Sequence, residues 1–331
     1  MTQAFVVAGF VTTMATAAML GAQTVPKRDP VPAPFTAITR EVAKELSGDR
    51  ALQTVSYVEK FFRLPGNRGF DASIDTVAAL LAKAGYVIEA NARPTDRLVY
   101  RVESRPMKDA AWTPDDASLT IVGRTKPLLT WATNHNMLAI NSNATPDGGV
   151  TAPVLDVGAG TDADFDKNDV KGKIAFVDGN FRQAFTNAMQ RGAIGVLATQ
   201  KLPAYNRQSK NVNAIQFTSV PRDSVHRGWL IFVSSAARDS LRAALAKGSV
   251  QVKAVVKARF ENRPEQTIVA EIRGSTLPSE RFVYSAHVQE PGANDNATGV
   301  GLLVEVARVA ALMVKSGRAN PSRTITFLWG D

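Results

Sequence analysis

The chain has 331 residues, room for two or three domains, and a globular composition of 45% hydrophobic and 21% charged residues. Its 39 Lys and Arg outnumber 30 Asp and Glu, for a formal charge of +9, but they are scattered without a dense run or interleaved aromatics. That pattern reads as a cationic surface and sets nucleic-acid binding aside. No cysteine is present, which excludes disulfides, thiol catalysis and cysteine-based zinc sites.

From Thr2 to Pro26 no side chain is charged, and Ala4 to Leu20 is largely apolar. Small residues close the stretch at Leu20-Gly21-Ala22. Residues 1–22 are therefore expected to be an export signal, with an uncleaved membrane anchor as the alternative. The protein would be secreted or periplasmic, with no other membrane association. Residues 23–36, with Pro26, Pro30, Pro32 and Pro34, read as an extended linker.

Helical patterns follow over Thr36–Leu46 and Arg50–Phe62, with Ser47 and Asp49 as caps. After Arg63-Leu64-Pro65-Gly66 comes a helix over Ala72–Ala84, closed by Gly85, and a strand at Tyr86-Val87-Ile88. Leu98–Val102 and Leu119–Val122 are short strands.

The texture then changes. Pro127 to about Phe260 has short apolar runs and many Gly, Asn and Asp turns, which predicts a mostly β module outside the main sheet. Within it, Asp164-Phe165 precedes Val170-Lys171-Gly172-Lys173-Ile174, a helix over Gln183–Arg191, and Gly192-Ala193-Ile194-Gly195-Val196-Leu197. The Gly158-Ala159-Gly160 run nearly fits a dinucleotide fingerprint. An acidic loop is expected after it, where a phosphate-binding helix would have to begin, so nucleotide binding is set aside. His135 and His226 are read as structural, neither having an acidic neighbour at ligand spacing.

Val252–Phe260 alternates as a strand, and Gln266–Ile272 is another. The run Phe282-Val283-Tyr284 reads as a buried strand. The loop S-A-H-V-Q-E-P-G-A-N-D-N-A-T-G then runs from Ser285 to Gly299. A helix over Val300–Met313 and a strand over Thr324–Trp329 complete a strand–helix–strand unit. Leu302, Leu303, Val306, Val309, Ala310 and Met313 trace the core stripe of that helix, and Glu305 with Arg308 is expected as a surface pair. His287 at the strand end and Asp295 in the loop entering the helix offer an imidazole nitrogen and a carboxylate oxygen, donors that zinc accepts. An Asp in that place can also be a helix cap.

The loop resembles the catalytic core of the M28 family of zinc aminopeptidases, whose G-x-N-D-N-x-[ST]-G pattern stands here at 292–299. The two motifs inside 130–257 resemble the protease-associated (PA) domain. The resemblance implies an α/β fold: a zinc-exopeptidase-like mixed sheet with helices on both faces, incomplete at its C-terminus, and an inserted mostly β PA-like domain. The expected divisions are 37–127 and 261–331 for the peptidase domain and 128–260 for the PA-like domain.

The resemblance makes His287 and Asp295 metal ligands, with Asp295 bridging two Zn2+ ions. The family's usual Asp two residues after the ligand His is here Gln289, a weaker support for the imidazole. In the M28 pattern the last strand leads to an acidic pair, general base then ligand, with further ligands beyond. Asp331 falls at or next to the general-base position, so the chain reads as cut inside its catalytic domain and inactive as it stands. The implied function is an exported metallo-exopeptidase of aminopeptidase type, hydrolysing peptide or protein substrates through metal-activated water. The alternatives are a non-catalytic M28-like receptor or binding module and a zinc acyltransferase similar to the glutaminyl cyclases.

Overall fold

The computed structural model describes residues 33–203 and 210–331. The predicted export signal, and the linker up to residue 32, lie outside the described residues. The chain divides into two units, 1–41 and 42–331; helix α1 (Ala33–Glu45) opens in the first, and the second holds everything described below.

Helix α2 (Gly48–Val58) begins where the Ser47 side chain accepts the Arg50 N–H. Helix α3 (Arg68–Ala84) begins earlier than predicted, because Asn67 caps it by accepting the Phe70 N–H. Gly85, at φ 100°, ends α3 in the left-handed conformation that glycine adopts freely. Phe70, Ile74, Val77 and Leu81 recur on one face of α3 and are all buried. Strands β1 (Val87–Ile88) and β2 (Leu98–Arg105) follow, then β3 (Ala111–Ile121), β4 (Leu129–Thr130) and β5 (Val150–Gly158). Next come α4 (Asp162–Lys167), β6 (Ile174–Val177), α5 (Phe181–Gln190), β7 (Gly195–Ala198), β8 (Leu230–Phe232) and α6 (Ser235–Leu245). The long strands β9 (Gln251–Glu261), β10 (Glu265–Ile272) and β11 (Leu277–His287) lead to α7 (Thr298–Lys315) and β12 (Arg323–Gly330).

Two mixed sheets result. One has the order β1-β2-β10-β12-β11, the other β4-β3-β9-β5-β6-β7-β8. In the first, β10 runs antiparallel to β2 and β12, and β11 runs parallel to β12. Helices α3 and α7 share one core with Ile268, Ala270, Phe327 and Trp329 of this sheet. The other face carries charged side chains, among them Arg101 paired to Glu89 and Glu103, and Arg281 paired to Glu271. The predicted mixed sheet is present, with its packed helices on one face among the described residues.

The second sheet has its own core, and β5 to β8 run parallel through it. It holds the predicted β module together with β3, which the sequence assigned to the peptidase side. The reason is long-range pairing: β3 is hydrogen-bonded antiparallel to β9, about 140 residues later in the chain. The acidic segment after Gly160 is helical rather than a loop. Thr161 and Asp164 form a reciprocal capping box at the start of α4, so that N-terminus is already occupied by the chain's own carboxylate. His226 does have an acidic neighbour, Asp223, with Nδ1 and Oδ1 3.3 Å apart. His135 stacks on Trp131 with ring centroids 4.9 Å apart.

Three further expectations are corrected. The run Phe282-Val283-Tyr284 is exposed, because among the described residues β11 has a strand partner on one side only. Leu302 is exposed too, since only part of the apolar surface of α7 faces the sheet. Glu305 and Arg308 do not form a surface pair: Glu305 is 3% exposed, Arg308 donates two hydrogen bonds to it at 2.7 Å, and the Ser47 N–H donates at 2.9 Å. Burial would raise the Glu305 pKa, but these donors hold it below its ordinary value of 4.5. A lowered folded value means stability that is present above 4.5 and lost as pH falls through the folded pKa. Glu305→Gln is expected to cost about 1–3 kcal/mol at neutral pH. Urea unfolding should show that deficit shrinking below the ordinary carboxylate range.

Candidate metal centre

Parallel strands β11 and β12 end side by side, His287 opposite Gly330, with the Val288 N–H donating to the Gly330 carbonyl at 2.8 Å. Ligand sites in open α/β sheets lie beyond such carboxyl ends. Asp331 follows Gly330 directly and so stands at the same edge. From His287 the chain turns through 288–297 and enters α7.

Asn296, not Asp295, organises that entry. Its side-chain oxygen accepts the Gly299 N–H at 3.0 Å, and its amide nitrogen donates to the His287 carbonyl at 3.4 Å. A side chain at Gly299 would collide with the Asn296 amide, which explains a glycine there. The cap reading of Asp295 is therefore not met. Its carboxylate instead comes to 3.0 Å from the His287 ring, Oδ1 to Nε2. The Asp295–Asn296 peptide is cis.

The structure thus brings His287 and Asp295 together and sets Asp331 beside them. It adds Glu290, which the sequence did not single out as a donor. One ligand atom each from His287, Glu290 and Asp295 lie within 4.8 Å of one another. The available signal was Glu290 standing three residues after His287, where the strand turns out into the loop. Among the described residues, Gln289 makes no hydrogen bond to the His287 ring.

The loop is held from beneath by Arg63, which is fully buried. Its Nε donates to the Val288 carbonyl at 2.9 Å, and one terminal nitrogen donates to Gly292 at 2.8 Å. The other donates to Val58 at 2.8 Å and Phe61 at 3.1 Å. In return the Glu290 N–H donates to the Arg63 carbonyl at 2.6 Å. Burial lowers the Arg63 pKa to about 10, with Glu59 and Glu290 opposing that shift, so the guanidinium stays charged at neutral pH.

The site concentrates negative charge. The Glu290 carboxyl is raised above its ordinary value, first by burial and then by Asp295 and Asp331, with His287 and Arg63 pulling the other way. Asp331 is raised by burial, against His287 and Arg105. The residues fit a divalent metal on two observations. His287 Nε2 has no exposed surface and no hydrogen bond, although Asp295 Oδ1 is near. The donors around it are an imidazole and carboxylates, a set zinc accepts.

The family model for peptidase family M28 matches residues 267–331, the segment that holds all of these donors, and the PA domain model matches 147–228. The chain therefore holds one segment similar to M28 peptidases and one similar to PA domains. Aminopeptidase YwaD of Bacillus subtilis is 30% identical over 180 residues, covering 52% of this chain and 36% of YwaD. Aminopeptidase NAALADL1 of Mus musculus is 32% identical over 83 residues, 24% of this chain and 11% of its own. Among solved structures, a peptidase M28 precursor from Shewanella amazonensis aligns with TM-score 0.58 at 18% identity, covering 89% of this chain and 66% of that one. BSAP, a zinc aminopeptidase from Bacillus subtilis, aligns with TM-score 0.55 at 21% identity, covering 86% and 61%. These structures show that the chain shares the mixed α/β fold of those proteins. The chain spans well under half the length of the curated relatives it matches.

Proposed function

We propose that this M28 chain belongs to an exported, zinc-dependent exopeptidase of aminopeptidase type that acts on peptides with a free α-amine. The carrying observation is the approach of His287 and Asp295 at a strand end and a helix entry inside the M28 segment. Because the chain spans only part of its relatives, the activity is proposed for the full-length protein.

His287 and Asp295 would hold the metal. When bound, zinc supplies Lewis acidity toward the scissile carbonyl and toward water. The Asn296 bonds keep Asp295 aimed at His287 instead of at the helix N-terminus. Asp331, whose pKa burial raises, stands at the same edge as an acid–base group or as the neighbour of one. Export rests on the uncharged apolar segment 1–22. N-terminal sequencing of the exported protein should begin near Gln23; an intact Met1 in a membrane fraction would replace the signal with an anchor.

The function is tested by a chromogenic aminoacyl-amide assay on the full-length protein with and without a chelator. Turnover should vanish on zinc removal and return on zinc addition. Undiminished turnover in the stripped protein would overturn the metal reading.

A further inference from the structure

We infer that Glu290 is a third protein donor to the zinc held by His287 and Asp295, an inference that rests on the proposed zinc function. Three features of the loop carry it.

The first is position. A ligand atom of Glu290 lies within 4.8 Å of those of His287 and Asp295, so a modest closure puts all three around one ion. Together they are one imidazole and two carboxylates, donors that zinc accepts.

The second is the lack of any competing partner. Among the described residues, the Glu290 carboxylate makes no hydrogen bond and no ion pair; its only bond is the backbone N–H to Arg63. It is not an orienting partner of the imidazole either, since the only carboxylate in ion-pair range of His287 is Asp295. The facing His287 Nε2 is likewise buried without a hydrogen bond. Two carboxylates crowded about one imidazole, one of them already 3.0 Å from its Nε2, are an arrangement that a dication satisfies and that mutual repulsion otherwise opposes.

The third is the backbone. Glu290 sits at φ 84°, a region that glycine and asparagine enter at less cost than glutamate. Arg63 imposes this conformation: its carbonyl takes the Glu290 N–H while its guanidinium holds the carbonyls of Val288 and Gly292 on either side. A buried cation anchored to both flanks fixes where the Glu290 side chain leaves the loop. The strain itself gives Glu290 no structural reward, which turns the test in a useful direction.

Zinc and cobalt titrations against a competing chelator, on the full-length protein, should compare wild type with Glu290→Gln, Glu290→Gly and His287→Ala. Supporting residues one shell outside a metal cost 10–100-fold in affinity, so loss of a direct donor should weaken binding by about 100-fold or more. Glu290→Gln is expected to show that loss together with a changed visible d–d band in the cobalt form. Glu290→Gly is expected to lose affinity equally while the metal-free protein unfolds no more easily than wild type. Wild-type affinity and an unchanged cobalt band in Glu290→Gln would overturn the assignment and leave the zinc site standing. An affinity in His287→Ala equal to wild type would instead remove the zinc site, and the proposed function with it.

Discussion

Arg63→Ala is expected to destabilise the protein by about 3–6 kcal/mol. The side chain is fully buried, and its removal leaves a cavity the size of a guanidinium and its stem. It also strips donors from the carbonyls of Val58, Phe61, Val288 and Gly292 at once. Each carbonyl left unpaired away from water costs about 1–3 kcal/mol, partly relieved where the loop can open to solvent. Arg63→Lys should recover little, because an ammonium cannot reproduce the planar fork that reaches both sides of the loop. Urea unfolding of both variants provides the check. A loss under about 1 kcal/mol would show that the loop does not depend on this anchor.

Asp295→Ala should behave in the opposite way. The side chain is 71% exposed and caps nothing, so the unfolding midpoint should stay within about 0.5 kcal/mol of wild type. Hydrolysis by the full-length protein should nonetheless fall by more than about 100-fold, beyond the cost of losing a residue that only supports a ligand. The contrast between a silent fold and a lost activity separates a metal donor from a structural carboxylate. A variant that unfolds early and keeps its turnover would assign Asp295 to the helix entry after all.

The parts of this molecule that were legible in sequence are those set by neighbours in the chain. The helices α2, α3 and α7 announced themselves by apolar periodicity, and His287 with Asp295 by a loop pattern in which Asn296 and Gly299 bond to each other. The parts that were not legible depend on distant residues. Glu290 stands beside His287 and Asp295 in a loop that Arg63, 227 positions earlier, holds through the backbone. Glu305 looks like half of an exposed i, i+3 pair until the Ser47 N–H arrives from 258 residues away. An apolar run such as Phe282-Val283-Tyr284 has the same pattern at the centre of a sheet and at its edge, so burial could not be read from it. Strand β3 could not be placed without knowing that β9 returns to pair with it. Helix α4 is a different case, since its capping signal, Thr161 and Asp164, stands within the sequence of the acidic segment itself.

The central claim is that the strand-end histidine of this M28 segment holds catalytic zinc. The most direct measurement is kcat/KM for a chromogenic aminoacyl amide in the full-length protein carrying His287→Ala, with its zinc content determined on the same sample. The account predicts turnover reduced by more than about 100-fold, and zinc depleted relative to wild type. Full turnover with a full complement of zinc would contradict it.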